Sequence, residues 1–438
     1  MTTQTIIQNS QILLPSGDFK RGDVTIEAGQ IVAVGDRATP ADDATRIDGT
    51  GLTLLPGVID PQVHFRDPGM THKEDLFTAT CACAKGGVTS FLEMPNTLPL
   101  TTTQEILTDK LALAASQCLV NYGFFIGATA ENWADLNRAT PTCGIKIFMG
   151  STHGPLLVDK AEATERIFAT GQRLIAVHAE NQARIVERRQ QFAGRTDPAV
   201  HSQIQDNQAA LLATQLALKL SKKYQRRLHI LHLSTADEAE LLRQDKPDWV
   251  TAEVTPQHLL LDVSAYEKIG TLVQMNPPLR TVRDREVLWQ ALLDGVIDFI
   301  ATDHAPHTLA EKAKGYPNSP SGMPGVETSL PLMLTQAMAG RCEVAQVAQW
   351  MSTAVAQAYQ IPNKGLIEPG YDADLVLVDL DTYRPVRREE LKTKCGWSPF
   401  EGWNLTGWPV VTLVGGQVVY NRGQIDTTVR GKALRFDG

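Results

Sequence analysis

Five apolar runs in this chain each deliver a side chain that could bind a metal ion or move a proton. Leu54 to Ile59 continues through Asp60-Pro61-Gln62-Val63 to His64. Cys143-Gly144-Ile145 leads to Lys146, Leu174-Ile175-Ala176-Val177 to His178, Leu228-His229-Ile230-Leu231 to His232, and Ile297 to Thr302 reaches Asp303. Imidazole nitrogens and carboxylate oxygens together suit zinc and its neighbours. Taken singly, each position has a plainer reading. A lone strand-end histidine is more often a hydrogen-bonded structural residue, and a lone lysine usually extends its ammonium to solvent or a carboxylate. The set gains weight because all five end a strand-like run.

Strand parity sharpens the assignment. Side chains alternate faces with period two, so Gln62 and His64 point the same way while His229 and His232 oppose each other. His232, nearer the strand end, is the candidate. His72, His153, His201, His229, His258 and His304 are expected to be structural or on the surface.

Positioning these side chains requires parallel strands. From about Pro56 to Pro362, strand-like runs alternate with helical patterns at Gln104–Gln117, Asp206–Lys222, Asp284–Asp294 and Val344–Tyr359. That alternation predicts a parallel sheet. If it closes into a barrel, the C-terminal strand ends converge on one face. The ends of the chain differ in texture: short strand-like runs at Thr5–Leu14, Asp23–Val34 and Ala44–Leu54 resemble those at Ala373–Val378 and Pro409–Tyr420, the last with a tight turn at Gly415-Gly416. Neither group alone would cover its apolar face. The expected architecture is a (β/α)8 TIM-like barrel over 56–362, with a small β-sandwich domain assembled from 1–55 and 363–438. Thr308–Gly322, polar and rich in Pro and Gly, is expected to be a mobile loop.

Composition narrows the partners. The 438 residues carry a formal charge of −8, with 43% apolar and 21% charged side chains, ordinary for a soluble globular protein. No block of Lys and Arg invites nucleic acid or an anionic membrane. No stretch approaches the roughly 18 apolar residues of a membrane span, and Met1–Ser10 lacks a secretory pattern. Cys81, Cys83, Cys118, Cys143, Cys342 and Cys395 are scattered, which favours reduced cytoplasmic thiols over disulfides or a zinc ribbon.

Several segments resemble a known family. Val58–Gly69 (VIDPQVHFRDPG) is similar to the opening signature of the cyclic amidohydrolases, D-x-H-x-H-x-R. Glu93–Thr97, Gly144–Met149, His229–Thr235, Asn276–Arg280, Ala301–His307 and Gly322–Thr328 resemble segments of dihydroorotase, and GYDADLVLVD resembles the closing β-domain. The resemblance implies a zinc site in which His64 and Asp303 hold one metal, Lys146 bridges as a carbamate, and His178 and His232 hold the second. Asp303 would also move protons. Arg66, Asn96 and His307 would grip a substrate carboxylate, and Asn276 would contact a pyrimidine ring. A planar guanidinium fork suits that carboxylate.

One position departs from the family pattern: Gln62 stands where the first histidine of the H-x-H pair belongs. A Gln carbonyl is a weak zinc ligand, which leaves one or two zinc ions per chain open. The implied reaction is reversible interconversion of N-carbamoyl-L-aspartate and L-dihydroorotate in pyrimidine biosynthesis. The alternatives are another cyclic amidohydrolase, such as allantoinase or hydantoinase, and a non-catalytic companion of aspartate transcarbamoylase. A homo-oligomer is compatible with either.

Overall fold

The computed structural model describes residues 4–35 and 42–437; residues 1–3, 36–41 and 438, all within the expected terminal β-domain, lie outside the described residues. The chain opens with strands β1 (Thr5–Leu13), β2 (Phe19–Glu27), β3 (Gln30–Val34), β4 (Thr45–Asp48) and β5 (Thr53–Pro56). The run Asp23–Val34 is a hairpin that turns at Ala28-Gly29. Ala28 (φ 52°) and Gly29 (φ 84°) both adopt left-handed backbone, as a two-residue type I′ turn requires.

The barrel strands follow: β6 (Val58–Val63), β7 (Val88–Glu93), β8 (Asn121–Phe124), β9 (Ile126–Gly127), β10 (Ile145–Phe148), β11 (Ile175–His178), β12 (Leu228–Ile230), β13 (Val250–Val254) and β14 (Phe299–Ile300). They pair in parallel as β6-β7-β8 and as β9 through β14. β8 and β9 are one strand interrupted at Phe125, whose N–H reaches Glu93 O at 3.0 Å. At the other seam, His64 N–H donates to His304 O at 2.7 Å and Val63 bridges His304 in parallel. These links close a barrel of eight strand positions. Covered on both faces, its strands read as continuous apolar runs, with every residue of β6, β7, β10 and β11 buried.

The last strands are β15 (Leu375–Pro385), β16 (Asn404–Val414), β17 (Gln417–Asn421) and β18 (Gln424–Ile425). β15 runs antiparallel to β5, matching Leu375 with Pro56 and Val378 with Thr53. This pairing joins both ends of the chain in one sheet, ordered β18-β17-β16-β15-β5-β1-β2-β3 with β4 beside β1. Its apolar face packs Ile7, Val24, Leu54, Leu375, Leu377 and Leu413 together.

The expected helices are present at Gln104–Gln117, Asn207–Tyr224 and Val282–Leu293, each with a side-chain N-cap, from Thr103, Asp206 and Thr281. The fourth is interrupted: Val344–Ala348 and Ala354–Ala358 flank a π-turn at Gln349–Thr353, where Ser352 Oγ donates to Gly57 O at 2.7 Å. The stretch expected as a mobile loop is tied down. Leu309–Lys312 is a helical turn, and the buried Lys312 Nζ donates to Gln274 O (3.1 Å), Pro320 O (2.9 Å) and Gly322 O (2.9 Å).

Candidate active site

All nine side chains singled out in the sequence line one cavity of about 200 Å³ at the C-terminal mouth of the barrel: His64, Arg66, Asn96, Lys146, His178, His232, Asn276, Asp303 and His307. Gln62 joins them, as strand parity requires. His229 does not reach it: in register with Ala176 and Lys146, it lies inside the barrel below the mouth, against Glu253 (3.0 Å) and Thr251 (2.8 Å). His232 lies beyond the end of β12 with φ 38°, so a left-handed turn, not strand alternation alone, aims it inward. Arg66 (φ 68°) and Asp303 (φ 47°) share that backbone region. Such residues cost about 1–3 kcal/mol each and gather where the fold must aim a side chain.

One half of the cavity carries the ligand types. His64 Nε2 lies 3.1 Å from Asp303 Oδ1, and Gln62 Nε2 donates to the same oxygen at 3.2 Å. His64 Nδ1 faces the Asn96 side-chain amide at 2.7 Å, so both ring nitrogens have a polar partner. Burial holds His64 below the usual imidazole range. Across the cavity, His178 Nδ1 and His232 Nε2 approach to 2.9 Å. Glu180 Oε2 accepts from His178 Nε2 at 2.8 Å, fixing the tautomer with its lone pair on Nδ1. Burial alone would raise the Glu180 carboxyl, yet His178 and Arg280 hold it below the ordinary range.

Lys146 is 1% exposed, its Nζ has no hydrogen-bond partner, and burial pushes the amine down to about 7. His232 Nδ1 and Gln62 Oε1 are likewise buried and unpaired. Among the described residues, no three His, Cys, Asp or Glu side chains are already gathered around one point. The donors stand instead as two facing pairs with Lys146 on the same cavity wall. Two ligands each about 2.1 Å from a tetrahedral cation sit roughly 3.4 Å apart. Separations of 2.9 and 3.1 Å between these ligand-type atoms are close to that edge, so the residues fit a divalent cation.

The other half carries positive charge. Arg66 is 7% exposed, and among the described residues no carboxylate lies within ion-pair reach of it. A salt bridge to Asp67 or Glu93, the plainer reading, is absent. Glu93 pairs with Lys110 at 2.9 Å, and Asp67 accepts from Leu76 N–H at 3.3 Å. Arg66 Nε donates instead to Pro306 O at 3.1 Å, with Nη2 beside His307 Nε2 at 3.2 Å. Burial, with Arg66, Lys73 and Lys312 nearby, holds His307 neutral: its Nδ1 accepts from Lys73 and its Nε2 faces Ser321 O, each at 3.1 Å.

Three residues of this site escape sequence reasoning. Glu180 left one usable signal, since it follows His178 by two residues and so lies on the same side of an extended strand end. His201, expected to be structural, donates from Nε2 to Asn276 Oδ1 at 2.8 Å. Lys312 shapes the wall from below through Gly322. Neither has a local signature.

Residues 53–419 match the Amidohydrolase family. The chain belongs to it. This amidohydrolase is 35% identical to the dihydroorotase of Methanosarcina acetivorans over 99% of its own length and 95% of that protein. With the dihydroorotase of Halobacterium salinarum it shares 36% over 95% and 97%. Its backbone is similar to that of L-hydantoinase from Arthrobacter aurescens, with a TM-score of 0.93, 29% identity and coverage of 99% and 100%. A fold common to such amidohydrolases leaves discrimination among cyclic amides to the side chains that hold the substrate.

Proposed function

We propose that this amidohydrolase is a dihydroorotase that interconverts N-carbamoyl-L-aspartate and L-dihydroorotate. The observation that carries the choice is Arg66: a buried guanidinium with no carboxylate of its own, in the cavity that holds the candidate metal ligands. An unpaired buried charge is costly, so a cavity built around one favours an anionic substrate. Dihydroorotate brings a carboxylate; hydantoin and allantoin do not.

In this reading His64, Asp303, His178, His232 and Lys146 hold one or two zinc ions. Such a cation polarises an amide carbonyl and lowers the pKa of water toward about 7. Lys146, its amine pushed by burial down to about 7, has a large uncharged fraction near neutral pH, the form that combines with carbon dioxide to give a carbamate. Arg66, Asn96 and His307 grip the substrate carboxylate, and Asn276 meets the ring. During ring opening Asp303 accepts a proton from the attacking water and returns it to the departing ring nitrogen as the amide C–N bond breaks. Ring closure runs through the same groups in reverse.

All six cysteines are free and buried, which supports a cytoplasmic enzyme, and among the described residues no helix is long and apolar enough to cross a membrane. Parallel assays on dihydroorotate, allantoin and hydantoin with added zinc test the reading. Turnover of dihydroorotate in preference to the others is expected; turnover of allantoin alone would overturn it. Inactivity with every metal, with stable co-purification of aspartate transcarbamoylase, would instead mark a non-catalytic companion subunit.

A further inference from the structure

Asn276 stands on the wall between the candidate active site and a second cavity of about 520 Å³, and it is held from behind. The orientations of the amides involved follow from one backbone carbonyl. His201 Nε2 lies 3.1 Å from Met275 O and 2.8 Å from Asn276 Oδ1. A backbone carbonyl only accepts, so His201 Nε2 carries the hydrogen, and the Asn276 atom it faces is the oxygen. Gln205, 3% exposed, places one terminal amide atom 3.0 Å from that Asn276 oxygen and 3.2 and 3.1 Å from the two Glu180 oxygens. Three acceptors surround it, so this atom is the Gln205 nitrogen. Arg280 donates to the Gln205 backbone carbonyl and anchors the residue.

Asn276 Oδ1 thus faces two donors, His201 and Gln205, from the start and the C-cap of one helical turn, His201–Ile204. Its Nδ2 donates to no group among the described residues, and Asn276 lines the cavity. We propose that Gln205, with His201, is a positioning residue that locks the Asn276 amide with its NH2 toward the substrate, so that this wall selects a ring carbonyl over a ring N–H. The idea rests on the site assignment above. It adds a polarity to the pocket: a substrate edge that presents an acceptor is matched, whereas one that presents a donor meets another donor and leaves both unpaired. Gln205 also touches Glu180, the partner of His178. Two routes of action are therefore conceivable, and the proposal commits to the one through Asn276.

Steady-state kinetics on Gln205→Leu, Asn276→Ala and the double variant, in the full-length zinc-loaded protein, test it. The substrate is whichever cyclic amide the wild type turns over best. A preference other than dihydroorotate would defeat the functional reading and leave this test intact. Gln205→Leu is expected to raise KM about tenfold, the effect of a lost buried hydrogen bond, with kcat and bound metal nearly unchanged. The double variant is expected to match Asn276→Ala alone, because a residue that acts through Asn276 has nothing left to position. Gln205→Met keeps the length, removes the donor, and is expected to raise KM about as much. It serves if the leucine variant fails to fold. Multiplying losses in the double variant, an unchanged KM, or a fall in metal content together with kcat would each overturn the proposal.

Discussion

Gln62 Nε2 donates to Asp303 Oδ1 at 3.2 Å, the oxygen that His64 Nε2 approaches to 3.1 Å. A side chain two residues before His64 on β6 thus spends a hydrogen on the carboxylate where an imidazole would bring a second lone pair. Its own oxygen is buried and unpaired in the cavity wall.

Gln62→His is expected to raise the metal bound per chain, measured by elemental analysis after dialysis against metal-free buffer. Unchanged content would show that Gln62 does not limit the first site.

Asp303→Ala removes the proposed proton carrier. A loss in kcat of about 10²–10⁴ is expected, the range attributed to positioned acid–base groups, with an unaltered circular dichroism spectrum. Near-normal turnover would end the assignment.

Arg66→Gln removes the buried cation. Charged hydrogen bonds contribute about 1.5–3 kcal/mol, so kcat/KM for dihydroorotate is expected to fall roughly 10- to 100-fold. Side activity on hydantoin, which has no carboxylate to grip, should fall much less. An equal loss on both substrates would argue that Arg66 supports the fold rather than the substrate.

Glu180→Gln tests control of the His178 ring. An amide can face His178 Nε2 with either end, so the tautomer is no longer imposed. Zinc affinity, measured by competition with a chromophoric chelator, is expected to drop about 10- to 100-fold. Wild-type affinity in the variant would show that Glu180 does not orient this ligand.

The strand ends of the barrel were legible because two local rules coincide there. Parallel strands buried on both faces must be apolar throughout, so a His, Lys or Asp that ends such a run stands out. Period-two alternation then aligned Gln62 with His64. The helix Gln104–Gln117 was legible to the residue, since Thr103 caps it through a neighbouring N–H. The turn at Ala28-Gly29 was legible as well, because a small residue followed by glycine between two apolar runs marks a reversal of the chain.

What the amino-acid sequence determined by itself is the inventory of the cavity: which side chains reach the barrel mouth, and that one expected imidazole there is an amide. What only the tertiary structure decided is their state. Whether Arg66 finds an anion, which nitrogen of His178 bears the hydrogen, and which way Asn276 turns all depend on Glu93, Glu180, His201 and Gln205. Those partners arrive from other strands and loops, and local periodicity cannot report a contact that exists only once the barrel has closed.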